Sequence, residues 1–256
     1  MSNKPVSDKL VQKYDQLYKN EHVAADEQIT VQPVTLNGWP ADRKQALLHL
    51  ARPGGRLLEI GCGQGDVLAA LAPHYDEVVG TELSAVRAAR TQRALAHLPN
   101  CRVLSEPLES LLETAVPPFD CIVWADVIEH VVDVIEAMRI LGRLAKPGTQ
   151  LVTVTPNVGF LPQRLNILRG RAPNTAIPWL PNEGFALNPL ETPMLDAGHV
   201  HYFTFRQVEI LYEIGGFKPE QRLGVGRNFI WLRNWWPTLL SGLICVSGTF
   251  RGTPAG

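Results

Sequence analysis

The sequence predicts an α/β fold built around a doubly wound, mostly parallel sheet, and three observations support this prediction. Short apolar runs alternate with helix-length segments between residues 57 and 155, which is the pattern of successive βαβ units. The first run ends in closely spaced glycines at 61–65, where a strand–loop–helix turn is expected. With 256 residues, of which 45% are hydrophobic and 19% charged, the chain suits one substantial domain with an appended cap.

The elements follow from the hydrophobic periodicity and from the residues that begin and end each run. Strands are predicted at residues 57–60, 77–81, 102–104, 121–124, 150–155, 221–225 and 243–250. Helices are predicted at residues 5–20, 43–50, 66–71, 84–97, 131–144 and 205–214, with Ser84 as the N-cap of the fourth. Between residues 156 and 201 the alternation stops in a long proline-rich segment, which is typical of a lid or binding loop. We therefore predict a single domain, 1–256, with a helical cap (1–52), a ligand-binding core (53–156), a lid (157–200) and a C-terminal helix with strands (201–256).

Charge and cysteine usage exclude several classes of protein. The formal net charge of −1 gives no electrostatic footprint for nucleic acid. The four cysteines are scattered without a CxxC pair and lie mostly in or beside apolar runs, so we expect them to be reduced and buried. The first ten residues are polar and lack the apolar region of a signal peptide. These features predict a cytoplasmic protein and leave its oligomeric state open.

One apolar stretch near the C-terminus, residues 229–246, has two interpretations. Arg233, Asn234 and Pro237 interrupt it, so it is too short to span a bilayer. The neighbouring Trp235 and Trp236 are typical of a peripheral membrane contact. The alternative is a final buried strand with aromatic packing.

The glycine loop is the most informative part of the chain. Its spacing is GxGxG (Gly61, Gly63 and Gly65), whereas dinucleotide-binding loops use GxGxxG. Two carboxylates, Glu59 and Asp66, flank the loop and suit a ligand that carries an ammonium group and no phosphates. The spacing therefore disfavours NAD, and the missing P-loop lysine disfavours a nucleoside triphosphate.

Glu82 ends the second predicted strand, 21 positions after Gly61. A carboxylate at this place can accept hydrogen bonds from both hydroxyls of a ribose. The alternative is a solvated carboxylate at the end of a strand. Together with the loop, ribose binding is the favoured interpretation.

The segments LLEIGCGQGDVLAAL, VVGTELS, FDCIVWADVIEHVVD and LAKPGTQLVTVTPN resemble class I S-adenosylmethionine (SAM)-dependent methyltransferases, in the small-molecule branch that includes ubiquinone-type and sugar O-methyltransferases. The resemblance covers residues 55–156, with a weaker echo in HVHYFTFRQVEILYEIGGF. It implies a Rossmann-like, seven-stranded sheet whose last strand is antiparallel, and SAM as cofactor. It also implies cofactor contacts at Tyr18, Glu59, Gly61, Cys62, Gly63, Gly65, Asp66, Glu82, Leu83, Glu106, Pro107, Leu108, Ala125 and Asp126.

The acceptor is expected at the carboxyl end of the fourth strand, where open α/β sheets bind ligands. Methyl transfer to a hydroxyl needs a positioned base, and histidine titrates near neutrality. His130 with its neighbour Glu129, His199 and His201 are the candidates. The alternative is that the Glu-His pair caps the next helix or braces the loop.

Two further predictions concern the same edge of the sheet. A candidate Mg²⁺ site is formed by Asp126, Glu129 and His130. This grouping resembles the metal site of ubiquinone-type enzymes, in which a glutamate usually stands at the position of Asp126. The acceptor side is expected to receive side chains from the lid, with a solvated loop as the alternative: Arg164, Arg169, Arg171, Trp179 and Phe185. Tyr14 and Tyr18 of the first helix are expected to close over the cofactor, as aromatic residues do in the enzymes that this chain resembles, with packing of the helix as the alternative.

The resemblance implies an enzyme that transfers a methyl group from SAM to a small-molecule hydroxyl, such as a sugar, a glycan precursor or a quinone-like phenol. N- or C-methylation and a non-catalytic SAM-binding partner remain alternatives. A dinucleotide oxidoreductase is disfavoured by the GxGxG spacing.

Overall fold

A computed structural model describes residue 31 and residues 34–113, 116–171, 173 and 199–252. Its centre is one seven-stranded sheet in the order β3-β2-β1-β4-β5-β7-β6. The strands are β1 (Arg56–Ile60), β2 (Glu77–Thr81), β3 (Cys101–Leu104), β4 (Phe119–Ala125), β5 (Ala145–Pro156), β6 (Phe217–Arg222) and β7 (Leu243–Phe250). Neighbouring strands are parallel except β7, which runs antiparallel to both β5 and β6. The predicted α/β fold with an antiparallel last strand is confirmed.

Helices cover the sheet and connect its strands. They are α1 (Arg43–Leu50), α2 (Asp66–Leu71), α3 (Ala85–Ala94), α4 (Ser110–Glu113), α5 (Val134–Leu144), α6 (Leu161–Leu168), α7 (Phe205–Ile214), α8 (Ile230–Trp235) and α9 (Pro237–Leu240). Ser84 is the N-cap of α3 as predicted, because its side chain accepts a hydrogen bond from the amide of Arg87. The predicted helix at 131–144 begins later, because Asp133 caps it after a short 3₁₀ turn at Ile128–His130.

The core lies on both faces of the sheet because adjacent residues of a strand point to opposite sides. Leu57 and Val123 pack in one hydrophobic cluster, and their neighbours Leu58 and Ile122 pack in the other. The four cysteines are free and buried, as predicted: Cys62, Cys101, Cys121 and Cys245.

The structure corrects two predicted elements near the C-terminus. The sixth strand lies at Phe217–Arg222 and not at 221–225, because Gly216 adopts φ +80° and turns the chain from α7 straight into the sheet. Before β7, the apolar stretch forms the short helices α8 and α9, and Pro237 stands in the first turn of α9. The strand predicted at 243–250 is confirmed, and the interpretation of 229–246 as a buried strand is wrong for the part before Leu243.

Other predictions fall outside the described residues: the helix at 5–20 with Tyr14 and Tyr18, and Trp179 and Phe185 of the lid. No helix within the described ranges is long and apolar enough to cross a bilayer.

Gly65 is the residue at which the glycine loop packs against the core. We expect Gly65→Ala to destabilise the protein by about 2–4 kcal/mol. Gly65 has φ +83°, and a Cβ there would lie 2.8 Å from Thr91 Cγ2 and from Leu95 Cδ1. Gly148→Ala is the matched control, because φ is +95° and a Cβ would meet nothing within 4 Å. Urea unfolding should show a smaller loss, about 1–2 kcal/mol, for the control. Equal losses in the two variants would contradict the packing role.

Candidate cofactor and acceptor site

The glycine loop connects β1 to α2 at the carboxyl edge of the sheet. Gly61, Gly63 and Gly65 all have positive φ, at +67°, +55° and +83°. A Cβ on Gly61 would lie 2.6 Å from Cγ2 of Val127, the residue that follows Asp126. The loop is therefore held tightly against the β4 connection, with a backbone path that side chains would block.

Glu59 is a buried carboxylate at the start of this loop. It is 5% exposed, and its Oε2 has no hydrogen-bond partner in the described part of the chain. Burial and the nearby charge of Asp66 raise the pKa of Glu59 to about 8. An unpartnered buried carboxylate is costly by itself, so the position favours a cationic ligand group.

Two basic residues of α1 contact the carboxylates around the loop. Lys44 forms an ion pair with Asp66, and Arg43 forms one with Asp126. Sequence reasoning missed both cations, since only the fold brings α1 across to β1 and β4. The Arg43 guanidinium opposes the effect of burial, which raises the pKa of Asp126.

Glu82 follows β2, the neighbour of β1 in the sheet. It is 7% exposed, and its Oε1 accepts a hydrogen bond of 3.1 Å from the amide of Ser84. Its own amide donates to the carbonyl of Leu104 at the end of β3. The predicted ribose ligand thus lies at the same edge of the sheet as the glycine loop.

The predicted adenine-side residues are partly buried and follow the ends of β2 and β3: Leu83, Glu106, Pro107 and Leu108. Glu106 has a buried Oε2 without a hydrogen-bond partner within the described ranges. Such a carboxylate suits a hydrogen-bond donor on a ligand. The structure therefore favours Glu106 over Pro107 for that role.

Cys62, predicted as a cofactor contact, has its side chain in the core. Its Sγ lies 2.8 Å from where a Cβ on Gly80 of β2 would stand. Its amide donates to the carbonyl of Thr81. Burial, together with the charges of Glu59 and Glu82, raises the pKa of this thiol. The Cys62 side chain therefore packs in the core, and its amide ties the loop to the end of β2.

On the acceptor side, three of the predicted residues converge after β4. Atoms of Glu129, His130 and His199 that can bind a metal all lie within 4.8 Å of one another. The rings of His130 and His199 meet edge to face with centroids 4.8 Å apart. Oε1 of Glu129 lies 3.9 Å from Nε2 of His199, and Oε2 accepts a hydrogen bond from Thr155 of β5.

Glu129 is the buried anchor of this cluster. Burial and the charge of Asp126 raise its pKa to about 7. Its backbone carbonyl accepts hydrogen bonds from the amides of Val200 and His201, which brings the end of the lid to the β4 connection. The partners lie 71 and 72 positions apart, which hides this contact from sequence reasoning, and Thr155 carries no sequence signal either.

His201 stands apart from the other histidines. Its Nε2 lies 3.3 Å from the carbonyl oxygen of Val132, and its ring packs against Phe203. The geometry gives this side chain a bracing role. Among the described residues, the metal-ligand grouping contains His199 in place of the predicted Asp126, which pairs with Arg43.

The strand order, the strained glycine loop and the carboxylate after β2 are those of class I SAM-dependent methyltransferases. A family model described as a methyltransferase domain matches residues 37–221, and the chain belongs to that family. A relative named ubiquinone biosynthesis O-methyltransferase, from Alkalilimnicola ehrlichii, is 32% identical over 106 residues, which is 41% of this chain and 42% of the relative. The chain thus spans about two fifths of the length of that curated relative.

Solved structures show the same fold at low identity. A SAM-dependent methyltransferase from Clostridium acetobutylicum has a TM-score of 0.56 at 11% identity, covering 95% of this chain and 100% of that one. Magnesium protoporphyrin IX methyltransferase from Synechocystis, solved with bound SAH, has a TM-score of 0.52 at 15% identity, covering 97% and 90%. These similarities place the glycine loop in a methyltransferase fold.

The raised pKa of Glu59 predicts a pH dependence of stability without SAM. Since the folded protein holds this proton up to about pH 8 and an unfolded glutamate releases it near 4.5, folding binds a proton between those values. The free energy of unfolding therefore falls as pH rises from 5 to 8, by at most about 1.4 kcal/mol per pH unit from this group. Urea unfolding should show a shallower fall for Glu59→Gln. Part of the fall remains below about pH 7 because Glu129 is also protonated there.

Proposed function

We propose that this protein is an O-methyltransferase that uses SAM to methylate a hydroxyl of a small molecule. The observation that carries the proposal is the placement of three parts at one edge of the sheet. These parts are the glycine loop with Glu59, whose Oε2 lacks a hydrogen-bond partner in the described part of the chain, the carboxylate of Glu82, and the cluster of Glu129, His130 and His199. SAM supplies an activated methyl group on a sulfonium, so the protein's task is to position the acceptor and accept its proton.

Binding of the cofactor is proposed to be divided between residues at the ends of two adjacent strands. Glu59 accepts the ammonium group of the cofactor's methionine end, and Glu82 accepts the ribose hydroxyls. Both are held at the ends of β1 and β2, which pair residue by residue from Arg56↔Glu77 to Ile60↔Thr81. This pairing keeps the two carboxylates at a constant separation and pre-organises the site.

His130 is proposed as the base that takes the hydroxyl proton. Its ring meets the ring of His199 edge to face, and the side chains of His199 and Glu129 are 6% and 2% exposed. These two groups are proposed to hold the His130 ring in position. His201 is not proposed as a base, because it lies against Val132 and Phe203.

The curated relatives support a phenolic hydroxyl as acceptor, because those similar at 30–32% identity are named ubiquinone biosynthesis O-methyltransferases. The test is transfer of a tritiated methyl group from SAM to matched acceptors: a catechol, the same ring with both hydroxyls already methylated, a sugar and an amine. Label in the free catechol and none in the blocked ring is the expected result. Label in the amine would show N-methylation in place of O-methylation. Label on a ring carbon of the blocked compound would show C-methylation. SAM binding without transfer to any acceptor would favour a non-catalytic SAM-binding protein.

A divalent metal is the second point to test at this site. As an alternative to the base role of His130, the side chains of Glu129, His130 and His199 together fit a small divalent ion, and Oε1 of Glu129 has no hydrogen-bond partner among the described residues. Two imidazoles with one carboxylate favour Zn²⁺ or another transition metal over Mg²⁺, which prefers oxygen ligands. If the metal is needed, dialysis against EDTA should abolish methyl transfer and return of Zn²⁺ should restore it. Full activity after EDTA, with no metal found by elemental analysis, would remove the metal from the account.

A further inference from the structure

The surface formed by α8, α9 and α6 has its polarity reversed. In α8, the side chains of Arg233 and Asn234 turn inward: Arg233 Nη1 donates to the carbonyl of Leu240 at 2.7 Å, and Asn234 Oδ1 accepts from the amide of Gly224 at 3.0 Å. The tryptophans turn outward, and Trp231 and Trp235 are each 73% exposed. A surface helix ordinarily buries its aromatic side chains and exposes its arginine.

The neighbouring α6 extends this exposed apolar character. Its Leu168 is 82% exposed. The segment with α6 follows β5, and the segment with α8 and α9 precedes β7. The two segments meet the sheet at the same place, because Pro156 at the end of β5 pairs with Leu243 at the start of β7. Asn157 also joins them, with Nδ2 donating to the carbonyls of Thr238 and Ser241. We call the exposed apolar residues of these segments the tryptophan surface: Leu161, Leu165, Ile167, Leu168, Phe229, Trp231, Trp235 and Trp236.

The charge around the tryptophan surface has one sign. Residues 157–171 and 223–242 contain five arginines and no acidic residue, in a chain whose formal net charge is −1. Arg169, Arg171 and Arg227 are exposed. Tryptophan beside arginine is the composition of the boundary between lipid headgroups and acyl chains, where the ring is half apolar and the cation meets anionic headgroups.

We propose that the tryptophan surface docks this protein onto an anionic lipid bilayer, as a peripheral contact. The surface lies at the carboxyl edge of β5, the edge that also carries Thr155 and the histidine cluster. Docking there places the acceptor site beside the bilayer, which suits an acceptor with an apolar tail. The inference goes beyond the methyl-transfer proposal and does not depend on it.

The test is co-sedimentation of the full chain with vesicles of phosphatidylcholine alone and of phosphatidylcholine with phosphatidylglycerol. Binding to the anionic vesicles is expected, with a loss of about fivefold or more when salt is raised from 0.1 to 0.5 M. Trp231→Ser/Trp235→Ser should weaken the partitioning by at least about tenfold. Ile210→Ser is the matched control, because Ile210 is a 40% exposed apolar residue of α7 outside this surface, and its partitioning should be unchanged.

A SAM titration of the double variant separates loss of docking from loss of folding, and its SAM affinity should equal that of the wild type. Sedimentation velocity tests the other occupant, a second copy of the chain. Absence of binding to anionic vesicles would overturn the proposal. If, in addition, the wild type sediments as a dimer and the double variant as a monomer, the surface would be an interface between two copies of the chain. Equal binding of the double variant and the wild type would also overturn the proposal.

Discussion

Replacing Glu82 with alanine is expected to weaken SAM binding by at least about 100-fold. The carboxylate is buried and held by the amide of Ser84, so it is pre-organised to accept hydrogen bonds from the two hydroxyls of a ribose. Hydrogen bonds to a charged group contribute about 1.5–3 kcal/mol each, and two of them account for this factor. Calorimetric titration of SAM into Glu82→Ala measures the loss directly.

Glu77→Ala is the matched control for this variant. Glu77 begins the same strand that Glu82 follows, and it pairs with Arg56 and Arg102 at the opposite edge of the sheet. Five residues of strand separate the two carboxylates by roughly 16 Å. Glu77→Ala should therefore keep the SAM affinity of the wild type within about twofold, even where it lowers stability. Equal effects of the two substitutions would show that Glu82 acts only through the fold.

Replacing His130 with alanine is expected to lower kcat for methyl transfer by about 10²- to 10⁴-fold, which is the usual contribution of a positioned general base. The affinity for SAM should stay within about twofold of the wild type, because the proposed cofactor ligands Glu59 and Glu82 lie at the ends of β1 and β2. A coupled assay for the demethylated product measures the rate, and calorimetry measures the affinity.

Two neighbouring histidines sharpen the same experiment. His201→Ala should reduce kcat little, because its ring lies against Phe203 and the carbonyl of Val132. His199→Ala should lower kcat less than His130→Ala and shift the pH profile of kcat, because its ring contacts that of His130. Wild-type turnover in His130→Ala together with loss of activity in His199→Ala would reassign the base to His199.

The parallel core of the fold was predictable from local pattern alone. The apolar runs at 57–60 and 77–81 are followed by the glycine loop and by Glu82, and their predicted positions agree with β1 and β2 within one residue. The strands β4 and β5 begin two and five residues before their predicted starts at 121 and 150. The strand at Phe217–Arg222 was misplaced because its sequence, FKPEQR, is polar and exposed along an edge. The strand was predicted at 221–225 because Leu223 and Val225 are apolar. Both residues are buried, but they follow the strand and are not part of it.

The two halves of the site differed in how far sequence could predict them. The cofactor side depends on one contiguous loop and the end of the next strand, so spacing identifies it. The acceptor side depends on His199 reaching Glu129 across 70 positions. The ion pairs around the glycine loop likewise depend on Arg43 and Lys44 reaching Asp126 and Asp66 from another helix. Such contacts are set by tertiary packing and leave no periodic trace in the sequence. Cys62 shows the converse, because a residue inside the loop motif proved to face the core.

The most direct test of the central claim, that the glycine loop and Glu82 form a SAM site, is a calorimetric comparison of three ligands on the wild-type protein. SAM and its demethylated product should each bind with saturable heat at one molecule per chain, and NAD should give no heat. Saturable binding of NAD with none of SAM or its product would contradict the account.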